Sequence, residues 1–368
     1  MGITLLLGLL ALILLFYVLF RIARTSELAS ILRGDIHNYQ YASKVNGVLM
    51  MAFLIIGLIM IVYSSMIYIP KMLPEAASVH GAKTDRLFNI TLFFIGVVFV
   101  LTQIVLFYFS WKYREKEGRK AFFYSHNNML EVVWTLIPAV VMTVLVVMGL
   151  QTWFSIFPSH DEMPEDRLEI EVTAKQFNWI VRYAGMDGEF GPRMIDTNYI
   201  SQTNELGIMW ENKASQDDIM PKEIHLIKDK PTLVRLGALD VLHSFYLPHF
   251  RVKMDCVPGL PTSFYFIPTK STEDMKEILS TQKEWQKINE ETGEEEWKSF
   301  KYELACTELC GKSHYAMQMD VIVHENEQKF MEWAEAQTPY YESIKATLDQ
   351  ASIEEVEVEE NTIAEKSN

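Results

Sequence analysis

Residues 306–317 read CTELCGKSHYAM, with two cysteines four apart, a histidine four further on and a methionine three beyond it. Cys306, Cys310, His314 and Met317 thus gather two thiols, an imidazole and a thioether in a chain that has only three cysteines. Thiolate, imidazole and thioether form the soft donor set that selects copper. A structural zinc site wants two ligand pairs on a longer spacer and has no place for methionine. A mononuclear electron-transfer copper site uses one cysteine, two histidines and a weak axial methionine, so one cysteine here is in excess. Two thiolates can instead bridge two copper ions, provided a second histidine comes from elsewhere. A Cys306–Cys310 disulfide is the competing reading for an exported segment.

The stretch LHSFYLPHF (242–250) offers His243 and His249 as that second imidazole. It lies in a region of short runs rich in Val, Ile, Phe and Tyr: LEIEVTA (168–174), FNWIVRY (177–183), IHLI (224–227), PTLVRLGA (231–238), LHSFYL (242–247), SFYFIP (263–268) and MQMDVIV (317–323). Short strands broken by turn residues indicate an all-β sandwich or barrel. After His324, ENEQKFMEWAEA has helical spacing. Residues 271–302 and the tail SIEEVEVEENTIAEKSN are dense in glutamate, which suits a solvated insertion and a disordered end. The net charge of −15 argues against nucleic acid and suits a basic protein partner.

Ahead of this region, Met1 to Phe20, Val45 to Pro70, Leu87 to Trp111 and Val132 to Trp153 contain no Asp, Glu, Lys or Arg. Each matches the roughly 20 apolar residues that cross a bilayer, so four transmembrane helices are expected. The first has no preceding basic residue and no small-x-small cleavage pattern, which favours an uncleaved anchor over a signal peptide. Lys and Arg number four in 21–44, three in 71–86 and five in 112–120. The excess puts the first and third connections in the cytoplasm and everything after Trp153 outside.

DVLHSFYLPHFRVKMDCVPGLP followed by CTELCGKSHYAM resembles the copper-binding domain of subunit II of haem–copper cytochrome c oxidases. The likeness extends through AKQFNWIVRY (174–183) and LEVVWTLIP (130–138). It implies a membrane-anchored all-β protein, with four transmembrane helices followed by a cupredoxin-like β-sandwich or barrel and a C-terminal helix. Residues 1–86 would be two added helices, 87–154 the anchoring hairpin, 155–345 the exported domain with an acidic insertion at about 271–300, and 346–368 a disordered tail. The resemblance implies a binuclear copper centre of the CuA kind: Cys306 and Cys310 bridging, His243 and His314 as imidazole ligands, Met317 as thioether and Glu308 through its carbonyl. The Glu308 carboxylate would face a magnesium ion shared with catalytic subunit I. Met319 is the local competitor to Met317, and His249, His80, His126, His160, His225 and His324 fall outside the ligand pattern. Cys256 reads as a small buried residue, and Asp255 either supports the site or caps a turn.

Further implications are Glu131 at the mouth of a proton-uptake path and an aromatic electron inlet, where Phe177 stands in place of the family's tryptophan and Trp179 follows. The resemblance also implies single-electron transfer from a c-type cytochrome to an oxygen-reducing subunit, in a bacterial inner membrane with the copper domain periplasmic. The chain has no Cys-x-x-Cys-His, hence no covalent haem expected of its own. A copper-handling or structural module remains the alternative. A quinol-oxidising relative is disfavoured by the full ligand set, and a nitrous oxide reductase by the membrane helices.

Overall fold

The computed structural model describes residues 2–34, 36–194, 199–290 and 292–348. The expected tail lies outside the described residues from 349 onward. The chain divides into two compact units, residues 1–73 with 89–143, and residues 74–88 with 144–368.

The first unit holds α1 (Gly2–Leu32), α2 (Ile36–Tyr68), most of α3 (Val79–Lys112) and the start of α4 (Asn128–Ile156). Among the described residues, three helices are long and apolar enough to cross a membrane, those at 40–71, 79–112 and 128–156. Even the 29-residue α4 spans about 44 Å at 1.5 Å per residue, against a hydrocarbon core of about 30 Å. Thr102, Ser110 and Thr143 each return their hydroxyl proton to the carbonyl four residues earlier, at 2.8 Å, so these three hydroxyls need no water. The expected fourth span lies partly outside the described residues, which leave out residue 1 and the side chains of 2–9 and 12. Its run opens α1, which continues unbroken through Arg21, Arg24 and Glu27, the last two ion-paired at 2.6 Å.

The second unit is a cupredoxin-like sandwich of a four-stranded and a five-stranded sheet. Its strands are β1 (Leu168–Lys175), β2 (Asn178–Tyr183), β3 (Ile224–Ile227), β4 (Thr232–Ala238), β5 (His243–Leu247), β6 (Val252–Cys256), β7 (Thr262–Phe266), β8 (Tyr302–Cys306) and β9 (Gln318–His324). The sheet orders are β2-β1-β4-β7 and β3-β9-β8-β5-β6. β1 with β4 and β3 with β9 are parallel, and the other pairs antiparallel. Alternate residues such as Ile170, Val172 and Ala174 from one sheet, and Phe245, Leu247 and Leu304 from the other, close a single core. A short helix, α5 (Lys213–Gln216), sits in the long β2–β3 connection. Phe330 on α7 (Glu327–Glu335) packs onto the core, as expected for the C-terminal helix.

Two expectations need revising. The acidic insertion is folded: α6 (Thr272–Ser280) opens with a reciprocal Ser271–Asp274 capping box and buries Met275 and Leu279. Its glutamates occupy the outer face of an amphipathic helix, which composition alone could not distinguish from a solvated loop. Residues 74–86, assigned by sequence to the added helices, instead pack on the sandwich. Ala77 donates to the His249 carbonyl at 2.7 Å and accepts from the Thr269 amide at 2.8 Å. Arg251 clasps both Asp85 oxygens at 2.8 and 2.9 Å.

Candidate metal centre

The register of β5, β6 and β8 builds the site at one end of the five-stranded sheet. Phe245 pairs with Cys306, and His243 pairs with Cys256. The β8–β9 connection is pinned at its base, where the Cys306 amide donates to the Met317 carbonyl at 3.1 Å and the Thr307 amide to the Ser244 carbonyl at 3.2 Å. Within this closed loop a 3₁₀ turn at His314–Ala316 turns the chain back and delivers Met317 to the interior.

The donor atoms converge. The Cys306 and Cys310 sulfurs lie 3.9 Å apart; His243 Nδ1 is 3.8 Å from Cys306 Sγ and His314 Nδ1 is 3.4 Å from Cys310 Sγ. Met317 Sδ lies 3.9 Å from Cys310 Sγ, and the Glu308 carbonyl accepts from the Cys306 thiol at 3.3 Å. His243, Cys306, Cys310 and Met317 are buried, while His314 and Glu308 are half-buried. A sulfur pair at 3.9 Å is far from the roughly 2.05 Å of a disulfide. It is close enough for one ion to touch both sulfurs at a metal–thiolate bond of about 2.3 Å. Each thiol has its own imidazole neighbour, a soft donor set that suits copper. Met319, the competitor, is buried beside Trp179 along a cavity of about 320 Å³.

Asp240 orients the site and was missed in the sequence. Its carboxylate accepts from His243 Nε2 at 2.8 Å, from the Gln176 amide at 2.7 Å and from the Val241 amide at 2.7 Å. Burial alone would raise its pKa, but the hydrogen bonds from His243, Gln176 and Val241 outweigh this and hold the carboxyl below its ordinary value. With Nε2 donating to Asp240, the Nδ1 lone pair faces the thiols, the tautomer a metal ligand needs. The available signal was an acid three residues before His243. Asp255, by contrast, is half-exposed beside Lys253, on the face of β6 opposite Cys256.

Burial, followed by the neighbouring Cys306, pushes the Cys310 thiol up to about 11. Burial likewise pushes Cys256 up to about 12, in keeping with its place in the core. Gln176 bridges from β1 to the metal loop, its side-chain amide donating to the Cys310 carbonyl. Phe177 is partly exposed and packs against Gly311, whereas Trp179 is buried edge-on to His243 with centroids 6.3 Å apart. Glu131 stands in the exposed first turn of α4, below an Asn127 side chain that caps the Leu130 amide at 3.0 Å. Of the histidines left outside the ligand pattern, His249 lies between Phe300 and Tyr302, and His225 contacts His324 at 2.9 Å.

The fold and these residues define a membrane-anchored β-sandwich with a sulfur-rich metal site. Residues 66–152 match the model for the cytochrome c oxidase subunit II transmembrane domain, and residues 168–272 that for its periplasmic domain. An alternative cytochrome c oxidase subunit 2 of Bradyrhizobium diazoefficiens is 31% identical over 258 residues, 70% of this chain and 80% of that one. A cytochrome c oxidase subunit 2 of Cereibacter sphaeroides is 25% identical over 72% of this chain and 78% of its own. The solved periplasmic domain of subunit II from Bradyrhizobium japonicum aligns at 24% identity over 47% of this chain and 94% of that one, with a TM-score of 0.29. On the sequence matches, the chain belongs to the cytochrome c oxidase subunit II family, whose members are parts of an oxidoreductase complex with a periplasmic domain on a membrane anchor.

Proposed function

We propose that the chain is the electron-accepting subunit of a respiratory cytochrome c oxidase, holding a binuclear copper centre between Cys306 and Cys310. The observation that carries this is the pairing of each thiol with its own imidazole, His243 with Cys306 and His314 with Cys310. Met317 and the Glu308 carbonyl complete the set on opposite sides. Bound there, two copper ions sharing a thiolate pair supply reversible one-electron storage with little change in geometry.

The chain's own residues make that exchange fast by staying still. β5 and β8 fix His243 and Cys306 on paired strands, Asp240 locks the His243 ring, and Gln176 ties the Cys310 loop to the opposite sheet. Burial of Cys306, Cys310 and Met317 would shield a bound metal from water. Electrons then come from a c-type cytochrome, by way of the aromatic pair Phe177 and Trp179, and leave for the haem–copper catalytic subunit that reduces oxygen. The Glu308 carboxylate would face a magnesium ion shared with that subunit, and Glu131 would take up protons at the cytoplasmic end of α4. The chain carries no covalent haem, spans the bacterial inner membrane four times with α1 and α2 as the added pair, and places its copper domain on the periplasmic side. The domain division follows the expected boundaries, with 74–88 added to the exported part. Copper per purified chain tests the reading: two in the native protein and fewer than one in both Cys306→Ser and Cys310→Ser. One copper that survives either substitution would favour a copper-handling module.

A further inference from the structure

The loop between α3 and α4 carries a device that electron transfer does not use. Residues 112–127 contain Lys112, Arg114, Lys116, Arg119 and Lys120 against only Glu115 and Glu117. Among the described residues none of these five cations forms an ion pair. The connection at 74–88 is unlike it, since Asp85 and Glu75 there are paired with Arg251 and Lys270.

Three of the cations, Lys112, Arg114 and Arg119, are held by aromatic rings at or just past the end of α3. Lys112 lies over Tyr108 and Tyr113 at 5.3 and 5.5 Å, Arg114 over Trp111 at 5.4 Å and Arg119 over Tyr113 at 5.1 Å. Each guanidinium donates one N–H to a terminal carbonyl of α3, Arg114 to Trp111 and Arg119 to Lys112, both at 2.7 Å. That caps the negative end of the helix, with Arg114 half-buried and Arg119 exposed, and uses only one of the five N–H donors of each fork. Ser43 of α2 holds the loop through the Glu115 carbonyl at 3.4 Å. Beyond the cations, Phe122 and Phe123 are 87% and 88% exposed on irregular backbone.

Both ends of this loop enter membrane-length helices, so the whole segment lies in one headgroup layer. Retention of the loop in the cytoplasm accounts for the number of cations. It does not account for their being preorganised on rings beside two bare phenylalanines. A phosphate bearing a net negative charge satisfies the free N–H donors, while its acyl chains cover Phe122 and Phe123.

We propose that the α3–α4 loop is a binding site for an anionic phospholipid of the leaflet it faces, with Arg114, Arg119 and Lys120 on the headgroup and Phe122 and Phe123 among the acyl chains. The test is native mass spectrometry of the detergent-solubilised full chain, titrated with phosphatidylglycerol or phosphatidylcholine. Retention of phosphatidylglycerol at least tenfold tighter is expected. A lysine or arginine near an anionic surface contributes roughly fivefold, so Arg114→Gln with Arg119→Gln and Lys120→Gln should erase that preference. Lys116→Gln with Lys120→Gln, which touches no helix cap, should reduce it while leaving helicity and copper content unchanged. Phe122→Ser with Phe123→Ser should weaken both lipids alike. Equal retention of the two lipids overturns the proposal. So does a preference that survives the triple substitution, or a phenylalanine variant that keeps both lipids as tightly as the native chain.

Discussion

Replacing Gly311 with alanine should cost the metal loop its shape without unfolding the sandwich. Gly311 has φ near +134°, where a side chain costs of order 1–3 kcal/mol. A Cβ there would lie 2.9 Å from Gln176 Nε2, 3.0 Å from Phe177 Cζ and 3.1 Å from Phe177 Cε1. Gln176 is the donor to the Cys310 carbonyl, so pushing it aside also forfeits a hydrogen bond worth about 1 kcal/mol. The sum is about 2–4 kcal/mol, borne by the loop carrying Cys310 and His314. At 1.4 kcal/mol per tenfold, copper affinity should fall roughly 30- to 700-fold. A chelator-competition titration of the purified chain measures this, with the unfolding midpoint of the metal-free protein as control. Affinity within threefold of native would refute the claim that the loop is held by the Gln176–Phe177 turn.

Asp240→Asn should keep the fold but loosen the His243 tautomer, lowering copper affinity about 10- to 100-fold; an unchanged chelator competition would show that the carboxylate does not orient the ligand. Burial and the adjacent His324 hold His225 down at about 3, so the unfolded chain takes up this proton first. His225 stability is therefore complete above pH 6.5 and is lost as pH falls from 6.5 toward 3. Urea midpoints should drop across that window, with His225→Gln shallower by up to one proton; identical slopes would contradict it. Arg251→Met should destabilise the periplasmic unit by about 2 kcal/mol and raise protease cleavage within 74–88, because Asp85 loses both of its contacts while half-covered; unaltered proteolysis would mean the segment is not clamped there.

Much of the donor cluster was legible because four of its residues lie in one short motif, whereas His243 was singled out from His249 only by the resemblance to the subunit II family. Seven of the nine strands could be read as short runs rich in Val, Ile, Phe and Tyr between turn residues. β6 and β8 were passed over: VKMDC and YELAC are five residues long, carry charges at their outward positions and adjoin stretches read as turn and insertion. Asp240 carried only the weak signal of an acid three residues before His243, because its role also depends on bringing the β1–β2 turn, 64 residues earlier, against the start of β5. The packing of 74–88 onto Phe250 and Arg251 is non-local in the same way, across more than 160 residues. Capping and amphipathic spacing were present in 271–280, but glutamate content masked them.

The most direct test of the central claim is the electron paramagnetic resonance of the oxidised, copper-loaded full chain, with its spins counted against its copper. The account expects one unpaired electron shared equally by two copper nuclei, a signal abolished by Cys306→Ser and by Cys310→Ser. A single copper carrying its own spin, or a folded chain that takes up no copper because Cys306 and Cys310 are joined as a disulfide, would contradict it.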